Sequence, residues 1–289
     1  MGNHPKVDYF VVDAFTDSPF KGNPAAVCFL EEERDEGWLQ AVATEFNISQ
    51  TSYLTKDGSD DAVAGCPRFR LRWFTPVAEV KLCGHATLAA AHVLFTSGRV
   101  DSDCIEFLTL SGVLTAKKVP EAHSNGSTLL IELDFPEVLN KECSSEEILT
   151  ALEVIGDAPI LEMRRTAADD LLVVLSSANL VEEFCPRLDK IRKWTGRGVI
   201  ITAAAAQGSG FDFFSRFFCP NLGINEDPVC GSAHCALTSY WSTKMGKHDF
   251  VAYQASPRSG ILKLELDTAN GRVRIRGKAV IVMQGTIIA

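Results

Sequence analysis

Two cysteines occupy matching places in the sequence and have the chemistry of a proton-transfer pair. Cys83 follows the run RWFTP at residues 72–76, Cys230 follows the similar run RFFCP at residues 216–220, and a glycine follows each cysteine. A thiol at the start of a helix is expected to have a lowered pKa, because the unpaired backbone N–H groups there carry partial positive charge. Two such thiols that face one carbon acid predict stereoinversion, in which one removes a proton and the other delivers one.

The same two helix starts predict a binding site for a small carboxylic acid. Glycine lets a ligand approach the backbone closely, and the first N–H groups of a helix have no partner within it. The Ser232 hydroxyl is expected to add a hydrogen bond. The N–H groups expected to bind the carboxylate lie near Gly84, His85 and Ala86 at one helix start, or near Gly231, Ser232 and Ala233 at the other.

Asp227 and His85 are further candidates for proton transfer. Asp227 lies just before Cys230, within the three-residue insertion that we assign to the second motif, and a carboxylate beside an apolar cleft can act as acid or base. His85 lies two residues after Cys83 and can donate to a substrate or relay protons. Structural interpretations stay open: both cysteines as small buried residues, Asp227 as a solvated loop acid and His85 as a helix cap.

The two motifs belong to a repeat whose period is half of the chain. In each half, β-rich runs lead into the motif, which opens an apolar, small-residue stretch at residues 85–95 or 233–241. These stretches predict buried helices. We therefore predict an α+β protein of two similar halves, each a sheet curled around one central helix, with residues 120–127 as the boundary and the site in the cleft between the halves.

Composition excludes several classes of partner. The 289 residues carry a formal net charge of −9, so nothing favours binding to nucleic acid or to an anionic membrane. No apolar run approaches the ~20 residues of a membrane span, and the first residues lack a secretory pattern. Nine scattered cysteines are not typical of a disulfide framework, which predicts free thiols and a cytoplasmic location. Without the spacing of zinc ligands, no metal or other cofactor is expected.

Three segments resemble the phenazine-biosynthesis PhzF-like family: FKGNPAAV at residues 20–27, CGHAT at 83–87 and GINEDPVCGSAH at 223–234. The resemblance covers essentially the whole chain. It implies a diaminopimelate-epimerase-like fold, in which two pseudo-symmetric halves are each a mostly antiparallel sheet rolled around a central helix. It also implies a cofactor-independent isomerase of a small carboxylic acid, often found as a homodimer.

The resemblance also implies where the halves and the site residues lie. The first half is expected at residues 1–119, completed by a final strand at about 279–289, and the second at residues 128–278. The site residues that the resemblance carries over are His85, Asp227 and Ser232, with Gly84 and Gly231 shaping the helix ends.

Two positions depart from the pattern of this family. Its isomerases have a glutamate base in a segment where this chain reads ISQTS at residues 48–52, so Gln50 takes the place of the base, and an amide cannot accept the proton. The family commonly has threonine at the position of Cys230. Diaminopimelate epimerases and proline racemases instead use cysteines at the positions of Cys83 and Cys230, and this chain has both.

The leading prediction is therefore a cofactor-independent racemase or epimerase of a small amino or hydroxy acid, with the thiol pair as acid and base. Asp227 and His85 are expected to tune or relay protons. Two more polar side chains are expected to contact the substrate, Asn23 and Gln50. The alternatives are a PhzF-like isomerase that uses Asp227 and His85, and a non-catalytic protein that binds a small acid and has lost the family's glutamate.

Overall fold

The computed structural model describes residues 6–58, 65–120, 129–156 and 158–288. The chain forms two compact units: Met1–Asp134 with Arg276–Ala289, and Phe135–Ile275. Residues 121–127 of the predicted boundary lie outside the described residues.

The first part of the chain is rich in strands. Its elements are β1 (Lys6–Ala14), β2 (Asn23–Leu30), α1 (Glu36–Phe46), β3 (Gln50–Lys56), β4 (Arg68–Phe74), β5 (Glu79–Val80), α2 (Gly84–Thr96), β6 (Cys104–Thr109), β7 (Gly112–Val119) and β8 (Leu130–Pro136). The elements that follow are β9 (Asn140–Glu142), α3 (Ser145–Ile155), β10 (Ile160–Thr166), β11 (Asp170–Leu175), α4 (Ala178–Glu182), α5 (Leu188–Ile191), β12 (Gly198–Ala204), β13 (Phe213–Cys219), β14 (Ile224–Asp227), α6 (Gly231–Met245), β15 (Asp249–Gln254), β16 (Gly260–Asp267), β17 (Arg272–Gly277) and β18 (Ala279–Ile288).

The first unit is a mixed sheet in which antiparallel pairs predominate. β1 pairs antiparallel with both β2 and β18, so the end of the chain completes the sheet that its beginning starts. β2 and β3 are parallel, β3 and β4 are antiparallel, and the short β5 pairs with the end of β4. β4 then runs parallel to β6, and β6 and β7 form an antiparallel pair.

Helix α2 is the buried centre of this unit. It contacts β1, β2, β3 and β18, and ten of its thirteen residues are buried. It carries no charged side chain, and alanines on several sides let the strands approach closely. Because the helix is fixed on all sides, its first turn is held at a defined place relative to the starts of β2 and β3.

The second unit repeats the order of strand pairs that leads into the helix. β11 and β12 are parallel, β12 and β13 are antiparallel, and the short β14 pairs with the end of β13, just before α6 begins. Most of α6 is also buried. The predicted α+β architecture, a sheet around a central helix, is confirmed. No helix in the described ranges is long and apolar enough to cross a bilayer.

One part of the cysteine prediction is wrong. Cys66 and Cys104 form a disulfide, which joins a residue two positions before β4 to the first residue of β6. Parallel pairing of β4 with β6 brings these two residues together across 38 residues of sequence. The other seven cysteines carry free thiols, so the expectation of reduced cysteines holds for the two helix-start residues Cys83 and Cys230.

Candidate functional site

The first cysteine motif lies at the start of α2. Cys83 is the residue before the first helical turn, with φ −146° and ψ 109°, and its thiol does not cap the helix. Thr87 closes this turn, because its backbone N–H and its hydroxyl both donate to the Cys83 carbonyl, the hydroxyl at 2.6 Å. The backbone of Cys83 is therefore fixed, and its sulfur is held at the helix start without serving as a cap.

Cys83 begins a chain of polar contacts in the first unit. Its Sγ lies 3.3 Å from Nδ1 of His85, and Nε2 of the same ring lies 3.2 Å from the Ser49 hydroxyl. Ser49 Oγ lies 2.6 Å from the Pro24 carbonyl oxygen and 3.1 Å from Asn23 Oδ1. Three predicted site residues, Asn23, Cys83 and His85, are thus brought together in the first unit.

His85 is uncharged in this chain. Burial lowers the pKa of His85 to about 3, so the ring is neutral at pH 7. The Ser49 hydroxyl has one proton, and both the Pro24 carbonyl and Asn23 Oδ1 can only accept it. Ser49 therefore accepts from Nε2–H, and Nδ1 of His85 is an acceptor for the Cys83 thiol.

The second cysteine motif lies at the start of α6 and has charged neighbours. Sγ of Cys230 lies 3.4 Å from the Ser232 hydroxyl, which accepts from Nη1 of Arg197 at 2.8 Å. The Arg197 guanidinium also forms a two-point ion pair with Asp170, at 2.8 and 2.5 Å, and the Asp170 side chain is fully buried. The backbone N–H of Cys230 donates to Oε1 of Gln254 at 2.8 Å.

The prediction that the helix start lowers the thiol pKa is wrong for Cys230. Its pKa is raised well above the ordinary value, mainly because burial disfavours the thiolate, and the charge of Asp227 raises it further. Arg197, the Ser232 hydroxyl and the N–H of Ala233 oppose this rise without overcoming it. Burial thus affects the pKa of Cys230 more than the partial charge of the helix start does. The backbone N–H of Ala233, which was predicted to bind the substrate carboxylate, interacts with the Cys230 thiol instead.

Asp227 is the last residue of β14 and lies near Cys230, but it does not belong to the insertion. Phe217 in β13 pairs with Asp227, and Trp73 in β4 pairs with Val80. Since the repeat aligns Trp73 with Phe217, Asp227 is the counterpart of Val80. The extra residues instead lie between β13 and β14, where the chain forms the short 3-10 turn Pro220–Leu222.

Gln50 is the first residue of β3 and lies near the start of α2. Side chains alternate along a strand, so Gln50 shares a face with Ser52, whose hydroxyl donates to the Ala86 carbonyl at 3.4 Å. Gln50 is 5% exposed, and its Oε1 has no hydrogen-bond partner among the described residues. A buried acceptor of this kind requires a donor, which a ligand can supply.

Sequence reasoning missed three polar residues, Ser49, Arg197 and Asp170. In the repeat, Thr51 of β3 pairs with Phe74 and Val199 of β12 pairs with Phe218, so the residues just before the two strands correspond. These residues are Ser49 and Arg197, and each contacts the side chain two residues after the cysteine. Aligning the halves through β3 and β12, rather than through the cysteine motif alone, would have found Ser49 and Arg197, but not Asp170.

The predicted site residues fall into two groups, one in each unit. Asn23, Gln50, Cys83, Gly84 and His85 lie in the first unit, and Asp227, Cys230, Gly231, Ser232 and Ala233 lie in the second. Within the described ranges, no group of three or more His, Cys, Asp or Glu side chains is arranged to bind a metal ion. The predicted site residues provide two thiols, a neutral imidazole, a carboxylate and helix-start N–H groups.

Comparisons with known proteins agree with this description. The family model for phenazine biosynthesis-like proteins, PhzC–PhzF, matches residues 12–285. An uncharacterized isomerase of Halalkalibacterium halodurans is 42% identical, over 96% of this chain and 97% of its own length. The mouse phenazine biosynthesis-like domain-containing protein 1 is 41% identical, over 98% of this chain and all of its own.

Solved structures give the same result for the fold. A PhzF-family protein of Enterococcus faecalis has a TM-score of 0.86 and 37% identity, covering 99% of this chain and all of its own. A hydroxyproline epimerase of Agrobacterium vitis has a TM-score of 0.65 at 9% identity, covering 99% of this chain and 94% of its own, and so shares the epimerase-like fold. The chain belongs to the phenazine biosynthesis-like, or PhzF, family.

Proposed function

We propose that this isomerase is a racemase or epimerase that moves a proton at the carbon next to the carboxylate of a small amino or hydroxy acid. Cys83 and Cys230 act as its acid and base. The observation that carries the proposal is the duplicated cysteine–glycine helix start, in which neither thiol caps its helix. Each thiol instead contacts a polar side chain two residues later, His85 or Ser232.

The substrate carboxylate binds to N–H groups at the helix starts, with Ser232 and Asn23 as further polar contacts. Gly84 and Gly231 begin the two helices, where partial positive charge favours an anion. The buried Oε1 of Gln50 accepts a hydrogen bond from an N–H or O–H group of the substrate. An amino or hydroxy acid provides both the carboxylate and this donor.

Asp227 and His85 tune the two thiols. Asp227 raises the pKa of Cys230, which makes the thiolate a stronger base once it forms. His85 holds the Cys83 thiol through its neutral Nδ1. The chemistry needs no cofactor, since both protons come from side chains. We further propose a homodimer, on the resemblance to PhzF-like proteins. We also propose a cytoplasmic location, because seven of the nine cysteines carry free thiols, although Cys66 and Cys104 form a disulfide.

A second mechanism is favoured by one observation, the Asp227 carboxylate beside Cys230. Asp227 lies close enough to Cys230 to raise the pKa of its thiol, and His85 contacts the other thiol, Cys83. In this mechanism Asp227 and His85 transfer the proton and the thiols are bystanders. A third candidate is a protein that binds a small acid without altering it, because Gln50 replaces the family's glutamate.

Proton exchange in heavy water tests the thiol mechanism without knowledge of the true substrate. A panel of small amino and hydroxy acids is incubated with the protein, and loss of the signal of the proton next to the carboxylate is followed by nuclear magnetic resonance. We expect exchange with at least one acid, and we expect Cys230→Ser to abolish it. The matched control is Cys235→Ala, a buried cysteine on the same helix, which retains exchange.

The other outcomes separate the alternatives. Exchange that persists in Cys230→Ser overturns the thiol mechanism. If exchange is instead lost in Asp227→Asn and retained in both Cys83→Ala and Cys230→Ser, Asp227 is the proton-transfer group. Binding of an acid without exchange in the wild-type protein supports the non-catalytic candidate.

A further inference from the structure

The two helix-start thiols occupy equivalent positions but have neighbours of different charge. Ser232, beside Cys230, accepts a hydrogen bond from Arg197, and a guanidinium stays charged at every pH that a folded protein meets. His85, beside Cys83, has a neutral ring. At equivalent positions of the repeat, Cys230 thus contacts a hydroxyl that is bound to a cation, whereas Cys83 contacts an uncharged ring.

The direction of the hydrogen bond between Arg197 and Ser232 affects the charge state of Cys230. A guanidinium only donates, so Ser232 Oγ uses a lone pair on Arg197 at 2.8 Å and keeps its own proton for another acceptor. The Cys230 sulfur lies 3.4 Å away and can take that proton as a hydrogen bond. A hydroxyl that donates to sulfur stabilises the thiolate, and the positive charge behind the hydroxyl strengthens the bond.

The same reasoning gives the opposite result for Cys83. Nδ1 of His85 is an acceptor, because the ring proton is on Nε2 and the ring is neutral. The Cys83 contact of 3.3 Å with Nδ1 is therefore made by a thiol that donates its proton. This hydrogen bond stabilises the protonated form of Cys83.

We infer that Arg197 is a positioning residue that acts through Ser232 to make Cys230 the thiol that ionises, while Cys83 keeps its proton. The inference rests on the proposed function and adds a direction to it. The substrate C–H bond breaks and its proton moves to the Cys230 sulfur, while the Cys83 S–H bond breaks and its proton moves to the carbon. No electrons are gained or lost, and exchange with water restores the starting protonation states.

Other charges near Cys230 oppose or balance Arg197. Burial raises the pKa of the Cys230 thiol, and the Asp227 carboxylate on β14 raises it further. Asp170 on β11 forms the ion pair with Arg197 and so reduces the charge that Ser232 experiences. Cys219, at the end of β13, also faces Arg197, but burial raises its pKa as well. Arg197 is the cation that lowers the pKa of Cys230 against these effects.

The test is a titration of each thiol by the ultraviolet absorbance of the thiolate, which does not depend on access by a reagent. The titration of Cys230 is the difference between wild type and Cys230→Ser, and that of Cys83 the difference between wild type and Cys83→Ser. In the wild type we expect Cys230 to ionise at a lower pH than Cys83.

Two variants test this inference, one that removes the charge of Arg197 and one that removes the Ser232 hydroxyl. Arg197→Met combined with Asp170→Asn removes the whole ion pair, so that no buried carboxylate is left unpaired. Ser232→Ala removes the hydroxyl and leaves the ion pair intact. In each background we expect the pKa of Cys230 to rise by about one unit, which is a tenfold smaller thiolate population at a given pH. Arg197→Lys keeps the positive charge, so the pKa of Cys230 is expected to rise less in this variant than in the other two.

The internal control is Cys83, whose titration is expected to stay unchanged in all three variants. Ionisation of Cys83 below Cys230 in the wild type would overturn the inference, as would an unchanged Cys230 titration in Ser232→Ala. That single variant keeps the test decisive if the double variant does not fold. The titration needs no turnover, so its failure is distinct from failure of the proposed function, which the exchange experiment measures.

Discussion

The Gln50 amide places in the first unit a buried hydrogen-bond acceptor that none of the described residues satisfies. Its Oε1 is buried and has no partner among the described residues. The counterpart of Gln50 in the repeat is Gly198, where even a Cβ would lie 2.6 Å from the ring of Phe217. Only one half of the molecule can therefore carry a side chain at this position, which is why we assign Gln50 to recognition of one particular ligand group.

Ligands that differ only in a donor test this role of Gln50. We expect Gln50→Leu to weaken binding of pyrrole-2-carboxylate, which has a ring N–H, by about 1 kcal/mol, or roughly fivefold in Kd. Furan-2-carboxylate has no such donor, so its Kd is expected to stay the same in the variant. Calorimetry measures both values, and equal weakening of the two acids would contradict the assignment.

In each half of the repeat, an arginine forms an ion pair across the two strands that precede the central helix, but the two arginines differ in burial. Arg72 pairs with Glu79 across β4 and β5, and Arg216 pairs with Glu226 across β13 and β14. Nη1 of Arg216 also donates to three backbone carbonyls in and just after α4. The Arg216 side chain is 8% exposed and that of Arg72 is 35% exposed.

This difference predicts unequal costs for the same substitution at equivalent positions. Arg216→Met leaves the Glu226 carboxylate and three carbonyls without their donor, so we expect the free energy of unfolding to fall by about 3 kcal/mol. Arg72→Met breaks a partly exposed ion pair and is expected to cost less than about 1 kcal/mol. Urea unfolding of the two variants measures both values. Equal costs would show that the repeat, rather than burial, determines the contribution of these ion pairs.

Across the whole molecule, the sequence was sufficient to predict the repeated elements. It did not predict contacts between residues that are far apart in the sequence. The matching cysteine–glycine motifs were sufficient to predict α2, α6 and the α+β architecture, because apolar small-residue stretches follow both motifs. Arg197 and Asp170 carry no recognisable spacing, and only the parallel pairing of β11 with β12 makes them neighbours. The Cys66–Cys104 bridge likewise depends on a parallel strand pair that no local pattern indicates.

Buried histidines in both units make the stability of the molecule sensitive to acid. Burial lowers the pKa of His85 to about 3 and the pKa values of His92 and His234 to about 4, against an ordinary value of 6.5. Below pH 6.5 these histidines bind protons in the unfolded chain but stay neutral in the folded chain. The free energy of unfolding therefore falls as the pH falls. Each histidine is expected to lower the free energy of unfolding by about 2 kcal/mol between pH 7 and pH 5.

His92 allows this prediction to be tested with one substitution. Its Nδ1 is buried without a partner among the described residues, so His92→Leu removes a titrating group without breaking a hydrogen bond at that atom. We expect the variant to lose about 2 kcal/mol less than the wild type when urea unfolding is compared at pH 7 and pH 5. The same loss in both proteins would mean that His92 is protonated in the folded state at pH 5. The acid sensitivity would then have to come from the histidines at the two helix starts.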